Sequence, residues 1–412
     1  MASEPPPGRR DGEQPWGARV PLLSEAALGP GQRWIHSAGF NIRPDLVGTA
    51  RADAECGDLA RLADHGCRVA LLSHQGNHGD GSAQHLHYVA DYLSRRLDRR
   101  VDYFPEVASP AAVNRAREMA DGEIVLFGNT RFHPGEQAND PGFAQHLALL
   151  GDAVAVGGFS KAHRSHASNA GLLAWRPGYL TDGVAAELAR LAPWAGADTE
   201  RFSIAAVGGR KPEKIEIGLA ELAGSYDLVL PGGAVLNALL AGMGYDIGGS
   251  TLGTEPDRAA QAASRFLRGR GRDRVHIPEE VDVARTPQCN GPPKRVRVRD
   301  GVPAGYAIVD FAWRPWALTA LDKLASRGGR AVLAGPLSYY RGGYTHSTDR
   351  VLDAFAAPAV DALLLGGDTN AELPWSGPAS TGGGSALQFL ARGTCSVLDA
   401  LRGSRASRTQ SA

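Results

Sequence analysis

From residue 34 onwards the chain alternates short apolar runs with amphipathic stretches. The runs at 69–72, 101–104, 124–127 and 153–156 each end in polar, glycine or proline residues, as strands do. Between them, 84–97, 111–120 and 143–150 carry apolar residues at helical spacing. Strands separated by helical patterns of this length predict parallel βαβ units. A helical bridge is expected at 183–191, and a second series of strands at 203–207, 228–230, 306–310, 331–334 and 362–365. The predicted architecture is therefore α/β, with two doubly wound, Rossmann-like parallel-sheet domains joined by a hinge helix. The alternating basic residues at 294–299 fit a strand with one solvated face.

Composition sharpens the boundaries. A chain of 412 residues is long for one core and suits two. Residues 1–30 are rich in Pro, Gly and Arg and are expected to be disordered. An N-terminal domain is expected at 31–182, a connecting helix at 183–200 and a C-terminal domain at 201–392. Lys plus Arg (44) equals Asp plus Glu (44), which argues against nucleic acid or a membrane surface as partner. Four scattered cysteines, Cys56, Cys67, Cys289 and Cys395, fit reduced thiols rather than a zinc site. The first residues lack the apolar core of a signal peptide, and no apolar run is long enough to span a bilayer. A cytoplasmic location is expected.

Candidate chemistry gathers where strands end. Residues 157–168 read GGFSKAHRSHAS, 129–136 read NTRFHPGE, and 73–76 read SHQG. Arginines beside glycines at strand ends suit a small anion, because a guanidinium offers a rigid charged fork and glycine lets backbone approach. In the second half, Gly208-Gly209-Arg210-Lys211-Pro212-Glu213-Lys214 follows a strand and opens a helix, an arrangement that suits phosphate. Pro231-Gly232-Gly233, Gly366-Gly367-Asp368-Thr369 and Ser380-Thr381-Gly382-Gly383-Gly384-Ser385 repeat the theme.

Taken in order, these segments resemble the phosphoglycerate kinase family over roughly residues 33–395. The family carries an arginine at the head of its first helix, then SHLGRP, ENxRFHxGEE and TAHRAHAS. This chain has Arg51, SHQGNH, GNTRFHPGEQ and KAHRSHAS at similar spacings. The resemblance implies the phosphoglycerate kinase fold, with acid-substrate ligands Asn41, His74, Arg131, His163, Arg164 and His166, and with Arg51 approaching the carboxylate that is phosphorylated. Lys211 and Lys214 match the catalytic lysines of GGAKVxDKI, with one residue fewer between them. Nucleotide-binding positions are then Gly208, Gly209, Lys211, Gly232, Gly233, Pro336, Gly367, Asp368, Thr369, Thr381, Gly382, Gly383 and Gly384. Asp368 would hold the Mg²⁺ of ATP or another nucleoside triphosphate. Family members are mostly monomers whose C-terminal segment returns to the N-terminal domain; within 393–412 that path falls to residues 397–401, with the last ten residues as a free tail.

Four departures shape the expected function. RVDFN becomes SAGFN, so the aspartate that contacts the substrate hydroxyl is Gly39. The arginine of SHLGRP is Asn77. WNGPMGVFE becomes LAGPLSYYR, which puts Ala334 for the asparagine and Arg341 for the glutamate that grips the ribose. The lysine loop is shorter. The expected function is transfer of the γ-phosphoryl of a nucleoside triphosphate to the carboxylate of a small anionic acid. The resulting acyl phosphate would serve a specialised biosynthetic pathway in which a downstream enzyme consumes it. The alternatives are a divergent glycolytic phosphoglycerate kinase acting on 3-phosphoglycerate and 1,3-bisphosphoglycerate, and a catalytically silent nucleotide- or anion-binding protein.

Overall fold

The computed structural model describes residues 14–17, 19–286 and 289–409, apart from the side chains of Asp368 and residues 405–409. The described chain divides into two compact units between Ala192 and Pro193, and residues from Thr394 onwards rejoin the first unit.

The first unit is built on six strands: β1 (Arg33–Ser37), β2 (Arg68–Leu72), β3 (Val101–Phe104), β4 (Ile124–Phe127), β5 (Ala153–Val156) and β6 (Gly178–Leu180). Their order is β3-β4-β2-β1-β5-β6 and every neighbouring pair is parallel. Helices cover both faces, so the central strands lose their polar alternation: Ile124, Val125, Leu126 and Phe127 are all fully buried. Local caps set where those helices begin. Ser109 Oγ accepts from Ala112 N (3.1 Å) ahead of Pro110, and Asp140 Oδ1 accepts from Phe143 N (2.7 Å) ahead of Pro141.

The second unit holds a five-stranded parallel sheet. Its strands are β7 (Ser203–Val207), β8 (Leu228–Pro231), β12 (Gly329–Ala334), β13 (Val360–Leu365) and β14 (Ala379–Ser380), in the order β14-β13-β12-β7-β8. Three further strands, β9 (Glu280–Arg285), β10 (Asn290–Arg297) and β11 (Tyr306–Phe311), form a separate antiparallel sheet. The run at 306–310 is thus a strand, but it pairs with β9 instead of joining the parallel series. Short apolar runs look alike in both settings, and only the partner decides. The basic stretch lies mostly in β10, largely exposed, with Arg295 paired to Asp282 at 2.8 Å.

Three expected boundaries shift. The extension expected to be disordered through residue 30 packs against the first unit where it is described: Val20 and Leu23 are fully buried, and Leu180 N donates to Pro21 O at 2.8 Å. Residues 1–13 and 18 lie outside the described residues. Scattered apolar side chains in a Pro/Gly-rich segment leave no periodic signal, yet they suffice to fill a groove. The expected connecting helix ends early, since the helix Asp182–Leu191 belongs to the first unit. Beyond the break, Trp194 O accepts from the buried Tyr226 hydroxyl (2.7 Å), and Arg330 donates to Gly196 O (2.6 Å) within the second unit. Finally, the C-terminal segment forms a helix, Ser396–Thr409, which takes in most of the expected free tail; residues 410–412 lie outside the described residues. In the first unit, Val397 N donates to Ala162 O (3.1 Å) and Arg402 Nη2 to Trp16 O (3.0 Å).

Leu23 belongs to the core of the first unit with Trp34, Leu59 and Leu71. Leu23→Ala is expected to cost about 2–4 kcal/mol in urea unfolding of that unit, the usual range for a buried leucine. A loss below about 0.5 kcal/mol, as surface changes give, would mean that this segment does not pack.

Candidate active site

In an open parallel sheet, ligands sit off the carboxyl ends of the strands, where side chains from adjacent loops converge. In the first unit the loops after β1, β2, β4 and β5 meet there. Asn41, in the left-handed region (φ 44°), donates its N–H to His74 O (2.9 Å) and accepts from Gly76 N (3.3 Å), tying the loop after β1 to that after β2. Asn129 ties the loop after β2 to that after β4. Its Oδ1 accepts from Gln75 N (3.3 Å) and Arg131 N (2.9 Å), while Nδ2 donates to Gln75 O and Gln84 O, both at 2.8 Å. Arg131 is thereby buried to 6% exposure with Nη1 on Gly76 O at 2.6 Å. Among the described residues its Nε has no hydrogen-bond partner. Arg51, exposed on the short helix Ala50–Asp53, directs Nη1 to Phe40 O at 3.4 Å.

The loop after β5 supplies Lys161, His163, Arg164 and His166. Glu136 fixes its far end, accepting from Ser168 N (3.0 Å) and Ser168 Oγ (2.6 Å). His166 Nδ1 lies 3.8 Å from Glu136, but the serine occupies those carboxylate oxygens. Burial, reinforced by Arg131 and Arg164, takes the His166 imidazole down to about 3, and the same forces hold His74 well below its usual range. His163 falls to about 4, through burial and then Arg164. Arg131 itself is lowered by burial and by Arg164. Cations that repel one another while their histidines stay neutral are poised for an anion. Asn77 takes no part: its N–H donates to Ser82 Oγ (3.0 Å), and its Oδ1 accepts from Gly79 N (3.2 Å), closing its own turn.

The second unit presents glycine-rich loops at the same edge of its parallel sheet. A Cβ at Gly208 would collide with Pro336 O, and one at Gly232 with the backbone of Leu337. Loops after β7, β8 and β12 therefore touch backbone to backbone. Lys211 is exposed at the head of this cluster. After the shortened loop the chain winds as a π-helix over Lys214–Leu219, and Lys214 Nζ donates to Ala334 O at 2.9 Å. This contact places the lysine at the strand edge despite the missing residue. Gly366 N donates to Ser380 O (2.8 Å), which sets the loop of Gly367 and buried Thr369 beside that of Thr381 and Gly382. Gly383 and Gly384 open the ten-residue helix Gly383–Arg392, whose free N–H groups suit phosphate. The Asp368 side chain lies outside the described residues. Arg341 Nε sits 3.4 Å from Glu372 Oε2, so a carboxylate does reach the region where the ribose-binding glutamate is replaced.

The model of the family described as phosphoglycerate kinase matches residues 41–393. This chain belongs to the phosphoglycerate kinase family. The phosphoglycerate kinase of Moorella thermoacetica is 32% identical over 355 residues, covering 84% of this chain and 89% of that protein. That of Sinorhizobium fredii is 32% identical over 360 residues, covering 84% and 88%. Among solved structures, the phosphoglycerate kinases of Coxiella burnetii and Pyrococcus horikoshii superpose with TM-scores of 0.68 and 0.67. At 23% and 22% identity, covering 93% and 94% of this chain and 99% and 100% of theirs, they attest the fold. Phosphoglycerate kinases are kinases with a carboxylate acceptor, and a nucleotide and a small anionic acid are the ligands of the family. Among the described residues, no helix is long and apolar enough to cross a membrane.

Sequence reasoning passed over four residues that organise the first unit's site: Asn129, Glu136, Lys161 and Asn169. All four lie inside or beside the matched motifs. Nothing in their spacing tells that they turn inward and hold loops together.

The buried imidazoles carry a stability signature. His163, His166 and His276 have folded-state pKa values of about 4, 3 and 4, below the ordinary 6.5. Between these values and 6.5 the unfolded chain binds more protons than the folded one. Their stability contribution is therefore full above about pH 6.5 and is lost on acidification, with a limiting slope of about 1.4 kcal/mol per pH unit per histidine. Urea midpoints measured between about pH 7.5 and pH 5 should fall progressively. A flat profile would show that the imidazoles take up protons within the fold.

Proposed function

We propose that this chain catalyses the phosphoglycerate kinase reaction, reversible phosphoryl transfer between ATP and the carboxylate of 3-phosphoglycerate. The observation that carries this reading is the convergence of Arg131, Arg164 and Lys161 around neutral His74 and His166 at one sheet edge. A small, highly charged acid would relieve their mutual repulsion. Arg51, outside that cluster, is assigned to the reacting carboxylate. Lys211 and Lys214 are assigned to the transferring phosphoryl group, and the backbone N–H groups of residues 383–384 to nucleotide phosphates, Gly382 N–H being held by Ser380 Oγ at 3.1 Å. Phosphoryl transfer asks for positioning and charge neutralisation, which these groups can supply without a covalent intermediate.

Magnesium keeps most of its shell as water and phosphate oxygen and asks one or two carboxylates of the protein. No cluster of three or more ligating side chains occurs among the described residues, so the fit is to a nucleotide-borne ion with Asp368 as its protein ligand. Bound there, it would offset charge on the β- and γ-phosphates.

A specific observation favours a second reading, in which the acid is not 3-phosphoglycerate. Position 39 is glycine, and Asn77 is committed to its own turn. Each lost charge-assisted hydrogen bond to the acid costs about 1.5–3 kcal/mol, or tenfold and more in affinity. The two readings separate in one experiment, trapping acyl phosphate with hydroxylamine in the presence of ATP, Mg²⁺ and a panel of carboxylic acids. The first predicts hydroxamate from 3-phosphoglycerate with a raised KM, which Asn77→Arg lowers about tenfold. Arg51→Ala should cut kcat by about 10²–10³, as loss of one charge-stabilising donor does. Hydroxamate from a different acid alone would transfer the assignment to the second reading. No hydroxamate from any acid, with ATP still binding, would overturn both.

A further inference from the structure

Lys161 is a cation with only 3% of its surface exposed, on the loop that carries Arg164 and His166. Its Nζ donates to Ser37 Oγ (2.7 Å) at the end of β1 and to Asn169 Oδ1 (2.8 Å). Ser37 Oγ in turn donates a hydrogen bond to Ser168 O, tying β1 to the far end of the same loop. Asn169 turns its Nδ2 back onto Arg164 O (2.7 Å) and Lys161 O (3.1 Å), while its N–H donates to His166 O (3.0 Å). The ammonium thus knots the loop to itself and to the central strand.

Two glycines make room for it. A Cβ at Gly39 would stand 3.1 Å from Lys161 Cγ, 3.2 Å from Cδ and 3.4 Å from Gly158 Cα. At Gly158, which is left-handed (φ 71°), a Cβ would meet Lys161 Cε at 2.9 Å. Any side chain at 39 competes with the lysine stem for one space. The motif changes then read as one event. SAGFN stands where RVDFN is the pattern, and KAHRSHAS where TAHRAHAS is. An arginine and an aspartate leave the end of β1 while a lysine enters from the loop after β5. The first two changes cancel in charge and the third adds one positive charge.

We propose that Lys161 is the positioning residue of the acid site. It locks the Arg164–His166 loop against β1 through Ser37 and Asn169, and adds a buried positive charge to the edge where the acid meets guanidinium groups. This rests on the reading of this sheet edge as the acid site. The groups facing Lys161 are the carboxylates Glu55 and Glu136, which favour its charged form, and the imidazoles His74 and His166, with Arg131 and Arg164 beyond them. Burial outweighs the carboxylates and brings the ammonium down to about 8. Acid affinity should therefore weaken as pH rises through about 8, when the charge is lost.

The test uses Lys161→Met, which keeps the stem's bulk and removes the charge, alongside the full-length wild-type chain. In the ligand-free protein, NMR titration of the His166 ring should move upward from about 3 in the variant. With 3-phosphoglycerate, wild-type KM should climb above about pH 8. In the variant KM should already be raised about tenfold at pH 7, the size expected for one charge-assisted interaction, and be flat across that range, with kcat little changed. A lysine that merely packs would give a variant with a lower melting temperature, an unmoved His166 titration and the same alkaline rise in KM, and that result overturns the proposal. If the His166 ring moves while 3-phosphoglycerate neither binds nor reacts in the wild type, the charge role stands and the choice of acid falls.

Discussion

Keeping Arg131, Arg164 and Lys161 close together with little water is the constraint on which the first unit depends. Arg131 and Lys161 offset their desolvation with hydrogen bonds, and the carboxylates Glu55 and Glu136 nearby favour their charged forms. Arg131 leans on the carbonyl of Gly76, and Lys161 on Ser37 and Asn169. Of the nearby carboxylates, Glu136 is spent on Ser168, and Glu55 on Gly158 N–H and His36. A site so arranged carries unbalanced positive charge, which an isolated buried cation could not sustain. The sheet makes it sustainable. Parallel strands end side by side, so the loops after β1, β2, β4 and β5 can each contribute donors and carbonyls to the same few ångströms.

The second unit meets a related demand differently. Its parallel sheet also ends in loops that converge, but there backbone does the work. Gly208, Gly232 and Gly335 let three loops touch where any side chain would collide. The N-terminus of the helix Gly383–Arg392 adds backbone N–H groups and a favourable dipole. Side-chain cations suit a compact acid with several charged oxygens at fixed angles. Backbone amides suit a phosphate chain, whose oxygens recur along a line.

Most of the architecture was legible because parallel strands, buried on both faces, leave uninterrupted apolar runs such as 124–127, with glycine and polar residues at their ends. What escaped depended on partners and not on pattern. The run at 306–310 has the same apolar character as the parallel strands and pairs elsewhere. Val20 and Leu23 sit in a segment whose composition suggests disorder, because burial of a few side chains in a groove has no period. At the site, Arg131 and His166 stand at positions that the family resemblance singles out, whereas Lys161 departs from the pattern there. Lysine between glycine and histidine usually means a solvated charge, and only Gly39 and Gly158, distant in sequence or silent in character, reveal the space it fills.

Several departures from the family pattern are met locally, although Asn77 only closes its own turn. Where β1 lacks an arginine and an aspartate, Lys161 enters from the neighbouring loop and occupies the vacated room. Where the lysine loop is one residue short, Lys214 still reaches the carbonyl of Ala334. Where Arg341 stands for a glutamate, Glu372 comes to it from the helix Gly367–Glu372. Exposed, that last pair adds little stability, so its interest lies in placing a carboxylate where one was removed. A site released from chemical duty would shed charges singly, since each buried one costs stability and nothing would restore it. Two of the three changes, at β1 and at Arg341, are met by a charged group from an adjacent element, which fits a site whose charge has been rearranged.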